Sequence, residues 1–320
     1  MAGGYTGKVL KVNLSTKSIG VEPINEEAAR KYIGGKGYAV YLLFQRIKEL
    51  EGRGISIKDL DPLGPENVMI FATGPGTGVP RFPSPSRYHV MTLKAPLTGS
   101  IGSGNSGGEW GAFLKFAGFD AIVVEGVADA PVYLAIENEK AEIRDAADLW
   151  GKNTMDTTRT LTSAVSGKNT SVTCIGPAGE KLVRVASIIS DNGRAAGRCG
   201  LGAVMGSKRL KAIAAKGSGK INVAKPEMLN KLKGKIVETV KNKLKAFSEY
   251  GTSRGVASFE EMGNLPIKNW TKGRFPGAEK ISGIRMAETI LIGKKACFAC
   301  PVACGRYIRI SEGPYAPLEG

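Results

Sequence analysis

Asn67-Val68-Met69-Ile70-Phe71-Ala72 and, after one residue, Gly74-Pro75-Gly76-Thr77-Gly78 set the pattern for the first two thirds of the chain. The first stretch is an apolar run of strand length, and the second cuts it off with turn-forming residues. Outward from there the same grammar recurs. Ala121-Ile122-Val123-Val124-Glu125 is a second apolar run, and Leu10-Lys11-Val12-Asn13-Leu14 alternates apolar with polar. Further strands are expected at 88–93, 131–136, 171–175 and 183–189. Asn25 suits the N-cap of a helix over 26–33, which Gly34-Gly35 interrupts before a second helical stretch to residue 50. Shorter helices are expected at 109–117 and 155–165. Strands and helices mixed in this way predict an α+β domain over residues 1–217.

Around Gly217-Ser218-Gly219 the character changes. Pro226 opens a run in which Leu229, Leu232, Ile236, Val240, Leu244 and Phe247 recur at three- and four-residue steps, the period of an amphipathic helix. Residues 218–320 are therefore expected to begin a helical domain. Lys231, Lys233, Lys235, Lys241, Lys243 and Lys245 occupy the rest of that helix surface. A solvated face accounts for them most simply, and a docking surface for an acidic partner is the functional alternative.

Composition narrows the classes. The 320 residues include 45 basic and 29 acidic side chains, 42% hydrophobic and 23% charged residues, which excludes a disordered chain. Residues 207–320 carry +13 of the net +16, so the basic excess lies late in the sequence. Five cysteines are too few for a disulfide scaffold, and three of them fall within eight residues, which favours a metal site in a reducing compartment. With no basic-then-apolar start and no apolar stretch of bilayer length, a soluble cytoplasmic protein is expected.

Two kinds of constellation could carry chemistry. Cys297-Phe298-Ala299-Cys300-Pro301-Val302-Ala303-Cys304 is a C-x2-C-x3-C arrangement, whose soft thiolates select zinc or iron-sulfur. Zinc asks for a nearby His or second Cys pair, whereas the one histidine, His89, lies far upstream on a strand-like segment where a core or surface role is expected. A cluster is favoured, with a fourth ligand from elsewhere. Cys174 and Cys199 read as structural. The second kind is glycine-rich: 74–78, 99–108 and 193–200. Glycine lets backbone N–H groups approach phosphate oxygens. Turns explain each segment alone, and none is a P-loop or a dinucleotide fingerprint. Arg87, Arg194 and Arg198 in or near them add guanidinium forks that match phosphates and heteroaromatic edges.

These residues resemble the tungsten-containing aldehyde ferredoxin oxidoreductases. The likeness runs from Gly4-Tyr5-Thr6-Gly7-Lys8-Val9 through Tyr32-Ile33-Gly34-Gly35-Lys36-Gly37, Phe71-Ala72-Thr73-Gly74-Pro75, Ser86-Arg87-Tyr88, Pro96-Leu97-Thr98-Gly99 and Asn105-Ser106-Gly107-Gly108. It continues in Phe116-Ala117-Gly118-Phe119-Asp120, in 193–202 and in Asn264-Leu265-Pro266-Ile267-Lys268-Asn269-Trp270. The resemblance implies a tungstopterin cofactor of two pterin-dithiolenes, with molybdenum as the alternative metal. Arg87, Asn105, Gly107, Arg194, Ala195, Gly197 and Arg198 are the matching cofactor positions. Arg87 would bridge pterin and cluster, and the Asn105 and Ala195 backbones would lie by a Mg2+ joining the pterin phosphates. Cys297, Cys300 and Cys304 would bind three corners of a [4Fe-4S] cluster. Family members are about twice as long. The fourth cysteine and the Glu and His of the metal site would follow Leu318-Glu319-Gly320, so the chain reads as an N-terminal portion and no catalytic residue is assigned.

The expected function is oxidation of an aldehyde to a carboxylic acid, with electrons passed singly through the cluster to ferredoxin. The resemblance also allows a homodimer. An aromatic acyl-CoA reductase of the same family and a non-catalytic iron-sulfur fragment are the alternatives. Nucleic acid is not an expected partner, because the Lys-rich runs lack interleaved aromatics or a reading motif, and a membrane is not expected either.

Overall fold

The computed structural model describes residues 3–80, 82–165, 170–191 and 193–320. The chain forms two compact units, Met1–Pro226 and Glu227–Gly320.

The first unit is built on two six-stranded mixed sheets. It opens with β1 (Lys8–Asn13), β2 (Ser18–Pro23), α1 (Glu26–Tyr32) and α2 (Lys36–Gly52). Asn25 caps α1 as the sequence suggests, its side chain accepting from Ala28 N at 2.8 Å. Then come β3 (Met69–Thr73), β4 (Tyr88–Thr92), β5 (Gly102–Ser106), α3 (Trp110–Phe116) and β6 (Ala121–Glu125). These strands form a sheet in the order β2-β1-β6-β3-β4-β5, in which only β1 and β6 are parallel. The second sheet uses β7 (Val132–Glu137), β8 (Lys140–Asp145), β9 (Thr170–Cys174), β10 (Ile188–Ser190), β11 (Arg194–Ala196) and β12 (Leu210–Lys216). Its order is β11-β10-β9-β12-β7-β8, with β7 and β12 parallel. Three helices belong with it: α4 (Thr154–Ala164), α5 (Pro177–Glu180) and α6 (Leu201–Ser207).

Strand periodicity assigns the layers. Leu10, Phe71, Tyr88 and Ile122 of the first sheet and Leu134, Ile188 and Ile213 of the second share one core with Trp110 of α3 and Val204 of α6. The alternate residues Val9, Ile70, Met91 and Val123 face the opposite way and pack with Tyr38 and Leu43 of α2. On the far side of the second sheet, Val172, Cys174 and Ala212 pack with Leu161 of α4. A Tyr88 hydroxyl joins the sheets, meeting Ser190 Oγ at 2.6 Å and Thr173 Oγ1 at 3.1 Å. Burial pushes its pKa up to about 12, against those hydrogen bonds.

Several of these expectations change. Of the expected strand at 183–189 only 188–189 is strand, where β10 begins. Val183 and Ala186 close turns onto Ala178 O and Val183 O, and Ala186 O accepts from Gly202 N at 2.9 Å, so this backbone serves the start of α6. The glycine-rich 99–108 segment is half strand, because β5 completes the first sheet's edge. Residues beyond 217 also stay with the first unit, where Gly219 N donates to Phe116 O and Asn222 O accepts from Gly4 N.

The second unit holds α7 (Pro226–Lys243), α8 (Lys245–Tyr250), α9 (Val256–Glu261) and α10 (Gly283–Thr289). The expected continuous helix breaks at Leu244, between α7 and α8. An antiparallel meander of β13 (Leu291–Lys295), β14 (Gly305–Ile310) and β15 (Leu318–Glu319) ends it. Among the described residues no helix is long and apolar enough to cross a membrane.

Candidate functional site

In the first unit the glycine-rich segments meet where an edge strand of each sheet comes together. A Cβ on Gly104 of β5 would lie 2.7 Å from Leu201 Cδ1 and 3.2 Å from Ala196 Cβ. A Cβ on Gly102 would lie 2.7 Å from Thr92 Cγ2 and 3.2 Å from Leu201 Cδ2. These glycines therefore admit protein, β11 and α6, against β5. Gly108 has a positive φ, and the Asp191 carboxylate fills the space a side chain there would need. Gly193, by contrast, faces open space, and the nearest atom to a Cβ on Gly197 is Ser187 Oγ at 3.5 Å. The third segment, 74–78, is tied in by Thr77, whose Oγ1 accepts from Gly74 N and donates to Arg87 O at 2.8 Å.

The expected cofactor residues fall on these abutting edges. Arg87 is exposed just before β4, and its guanidinium donates to Asn105 Oδ1 on β5 at 2.7 Å. Asn105 lies opposite His89 in the β4–β5 register. Its Nδ2 donates to Tyr88 O at 3.1 Å and meets His89 Nε2 at 3.0 Å. Gly107 is buried beyond the end of β5. Half-buried Arg194 and exposed Ala195 lie on β11, with Gly197 and Arg198 exposed in the loop toward α6. Guanidinium groups and open glycine backbone along one edge fit an anionic, heteroaromatic group. A cavity of about 310 Å³ opens elsewhere, between α2 and the first sheet, lined by Tyr41, Arg46, Glu49 and Glu125. None of the expected cofactor residues lines it.

Cys297, Cys300 and Cys304 lie half-buried on the loop between β13 and β14. Cys300 N closes a turn on Cys297 O at 3.0 Å, and Ala299 and Ala303 take positive φ immediately before a cysteine. Among the described residues no three Cys, His, Asp or Glu side chains converge closely enough to hold a metal ion. The loop thus supplies soft donors of suitable spacing without drawing them together by itself. Cys174 is buried, its thiol pushed up to about 11 by burial, and Cys199 donates to Ser103 O at 3.7 Å.

Three positioning groups escaped the sequence reading. Asp191 accepts from the backbone N–H of Glu109 and Trp110 at the start of α3 and from Ser171 Oγ, tying that helix to β9 of the second sheet. Arg306 donates to Ser248 O, Glu249 O and Ala303 O, fastening the cysteine loop to the end of α8. His89 is the third, and its Nδ1 is buried without a protein partner. Apart from Ala303 O, their partners lie too far along the chain for any local motif to reveal them.

Residues 9–217 match the family described as aldehyde ferredoxin oxidoreductase, N-terminal domain, and residues 227–320 match aldehyde ferredoxin oxidoreductase, domains 2 and 3. The chain is 45% identical over 326 residues to a tungsten-containing aldehyde ferredoxin oxidoreductase of Pyrococcus horikoshii, covering 97% of this chain and 51% of that protein. It is 34% identical to the aliphatic sulfonate oxidoreductase, WOR-like subunit, of Pyrococcus furiosus, covering 97% of this chain and 50% of that protein. Among solved structures it resembles the active site complex BamBC of benzoyl coenzyme A reductase in complex with 1,5-dienoyl-CoA. That similarity has a TM-score of 0.81 at 28% identity and covers 98% of this chain and 48% of the other. The chain spans about half the length of the curated relatives it matches. With family matches running through both compact units, the chain belongs to the aldehyde ferredoxin oxidoreductase family.

Proposed function

We propose that this chain is the cofactor-holding part of an oxidoreductase that converts aldehydes to carboxylic acids and delivers the electrons to ferredoxin. The observation that supports this reading best is the meeting of Arg87, Asn105 and the Arg194–Arg198 segment on two sheet edges kept close by glycine. Arg87, Asn105, Gly107, Arg194, Ala195, Gly197 and Arg198 would hold a tungsten bis-pterin. The backbones of Asn105 and Ala195 would lie beside a Mg2+ that joins its phosphates. Cys297, Cys300 and Cys304 would hold three irons of a [4Fe-4S] cluster. When bound, these groups supply the two-electron oxidation of aldehyde and water to acid and two protons, and the one-electron steps that carry the charge away. The chain's own part would be to place the phosphates against guanidinium forks, that of Arg87 already held by Asn105, and open backbone, so that ordering costs less on binding.

The test is the full-length gene product purified without oxygen, with metal and pterin analysis and aldehyde-dependent viologen reduction. Tungsten or molybdenum near one per chain with turnover is expected. Active protein lacking both metals overturns the reading. The structural likeness to the benzoyl coenzyme A reductase complex favours a second reading, reduction of an aromatic acyl-CoA thioester. Assaying aldehydes against such thioesters separates the two.

A further inference from the structure

We infer that His89 is a positioning residue: as a neutral hydrogen-bond acceptor it locks the Asn105 amide, and through it Arg87, into the orientation that the cofactor edge presents. The functional weight of this inference rests on the reading of that edge given above, but its geometry does not. Asn105 Oδ1 lies 2.7 Å from an Arg87 guanidinium nitrogen, and a guanidinium only donates, so the atom facing it must be the oxygen. The other amide atom lies 3.1 Å from Tyr88 O, which only accepts, so it must be nitrogen. That NH2 group has one more hydrogen, and it points to His89 Nε2 at 3.0 Å. Nε2 must then accept, which places the ring's single proton on Nδ1.

Either other state of the ring sets two donors face to face. The ring packs beside Gly35, where a Cβ would lie 3.4 Å from His89 Cδ2, an ordinary contact. The consequence reaches the exposed end of the relay. A long, mobile arginine held by an amide that two partners already fix loses less freedom on binding than one that must be ordered then.

The experiment uses the full-length protein, freed of any affinity tag, grown with 15N-labelled histidine, and follows the resonance pair assigned to His89 by its loss in the variants. At neutral pH a protonated Nδ1 and an unprotonated Nε2 are expected, and a proton on Nε2 overturns the inference. Two variants then test the relay. His89→Gln can present its carbonyl oxygen where Nε2 accepts, whereas His89→Leu cannot. On dialysis of the loaded protein, His89→Leu should lose tungsten and pterin about tenfold faster than wild type, and His89→Gln within about twofold of it. Equal loss from both variants, or no acceleration in His89→Leu, overturns the inference. Wild type that binds neither metal overturns the functional reading instead, while the nitrogen measurement still decides the tautomer.

Discussion

Asp191 takes hydrogen bonds from two backbone N–H groups that begin α3 and from a serine on β9, so one carboxylate satisfies donors from a helix and from the second sheet. Asp191→Ala leaves those donors without it, next to a Gly108 whose empty side-chain space the carboxylate had filled. A loss of about 1–3 kcal/mol in unfolding free energy is expected, measured by urea titration. Lys208 makes a contrasting case. Its ammonium is wholly buried and donates to Gly126 O at 3.1 Å, with no carboxylate in direct contact. Burial first, and then Arg46, push its pKa down to about 7, against Glu125 and Glu66. Unfolded, it keeps its proton to about 10.5. Between those values the unfolded chain binds more protons than the folded one, so this group favours folding increasingly as pH rises from 7 toward 10.5. Below 7 its full cost applies. Lys208→Met removes the charge but also the donor to Gly126 O, so the pH trend is diagnostic: its stability relative to wild type should fall as pH rises from 7 to 10, by up to ~1.4 kcal/mol per unit. Thermal melts of both proteins across that range check it.

Among the elements, β5 and β11 divide the glycines into two kinds. Gly104 is needed for packing, because Leu201 and Ala196 occupy the space beside it. Gly104→Val should cost about 1–3 kcal/mol by overpacking and force the edges apart. Gly197 lies on the open side with ordinary backbone. Gly197→Ala should leave the melting of the cofactor-free protein within ~0.5 kcal/mol of wild type while lowering the tungsten and pterin it retains. The pair, compared by urea titration and metal analysis, separates scaffold from cradle. In the sequence both glycines belong to similar runs. Nothing local distinguishes them, since the difference lies in what a distant helix puts beside each.

Across the whole molecule, the basic excess is not one surface. Lys208 and Lys211 belong to the first unit and are fully buried, Lys211 paired with Glu180. Glu227–Gly320 retains 16 basic against 9 acidic residues, and Lys231 and Lys235 of α7 are exposed, as is Leu232. If that charge guides an acidic ferredoxin, its reduction by the full-length enzyme should slow several-fold between 50 and 300 mM salt, as screening predicts, while reduction of a neutral acceptor changes little. Stopped-flow rates across that range check it.

By itself, the sequence determined what depends on near neighbours. The alternation of Leu10 to Leu14, the Asn25 cap, the cysteine spacing and the ordered motifs of the family each follow from residues a few positions apart. Tertiary structure alone decided which glycines admit protein and which stay open, and that Asp191 clamps α3. It also decided that His89, by local pattern a bland strand residue, faces the Asn105 amide. Those facts depend on hydrogen bonds and contacts between residues 10 to 99 positions apart, whose direction no local periodicity encodes.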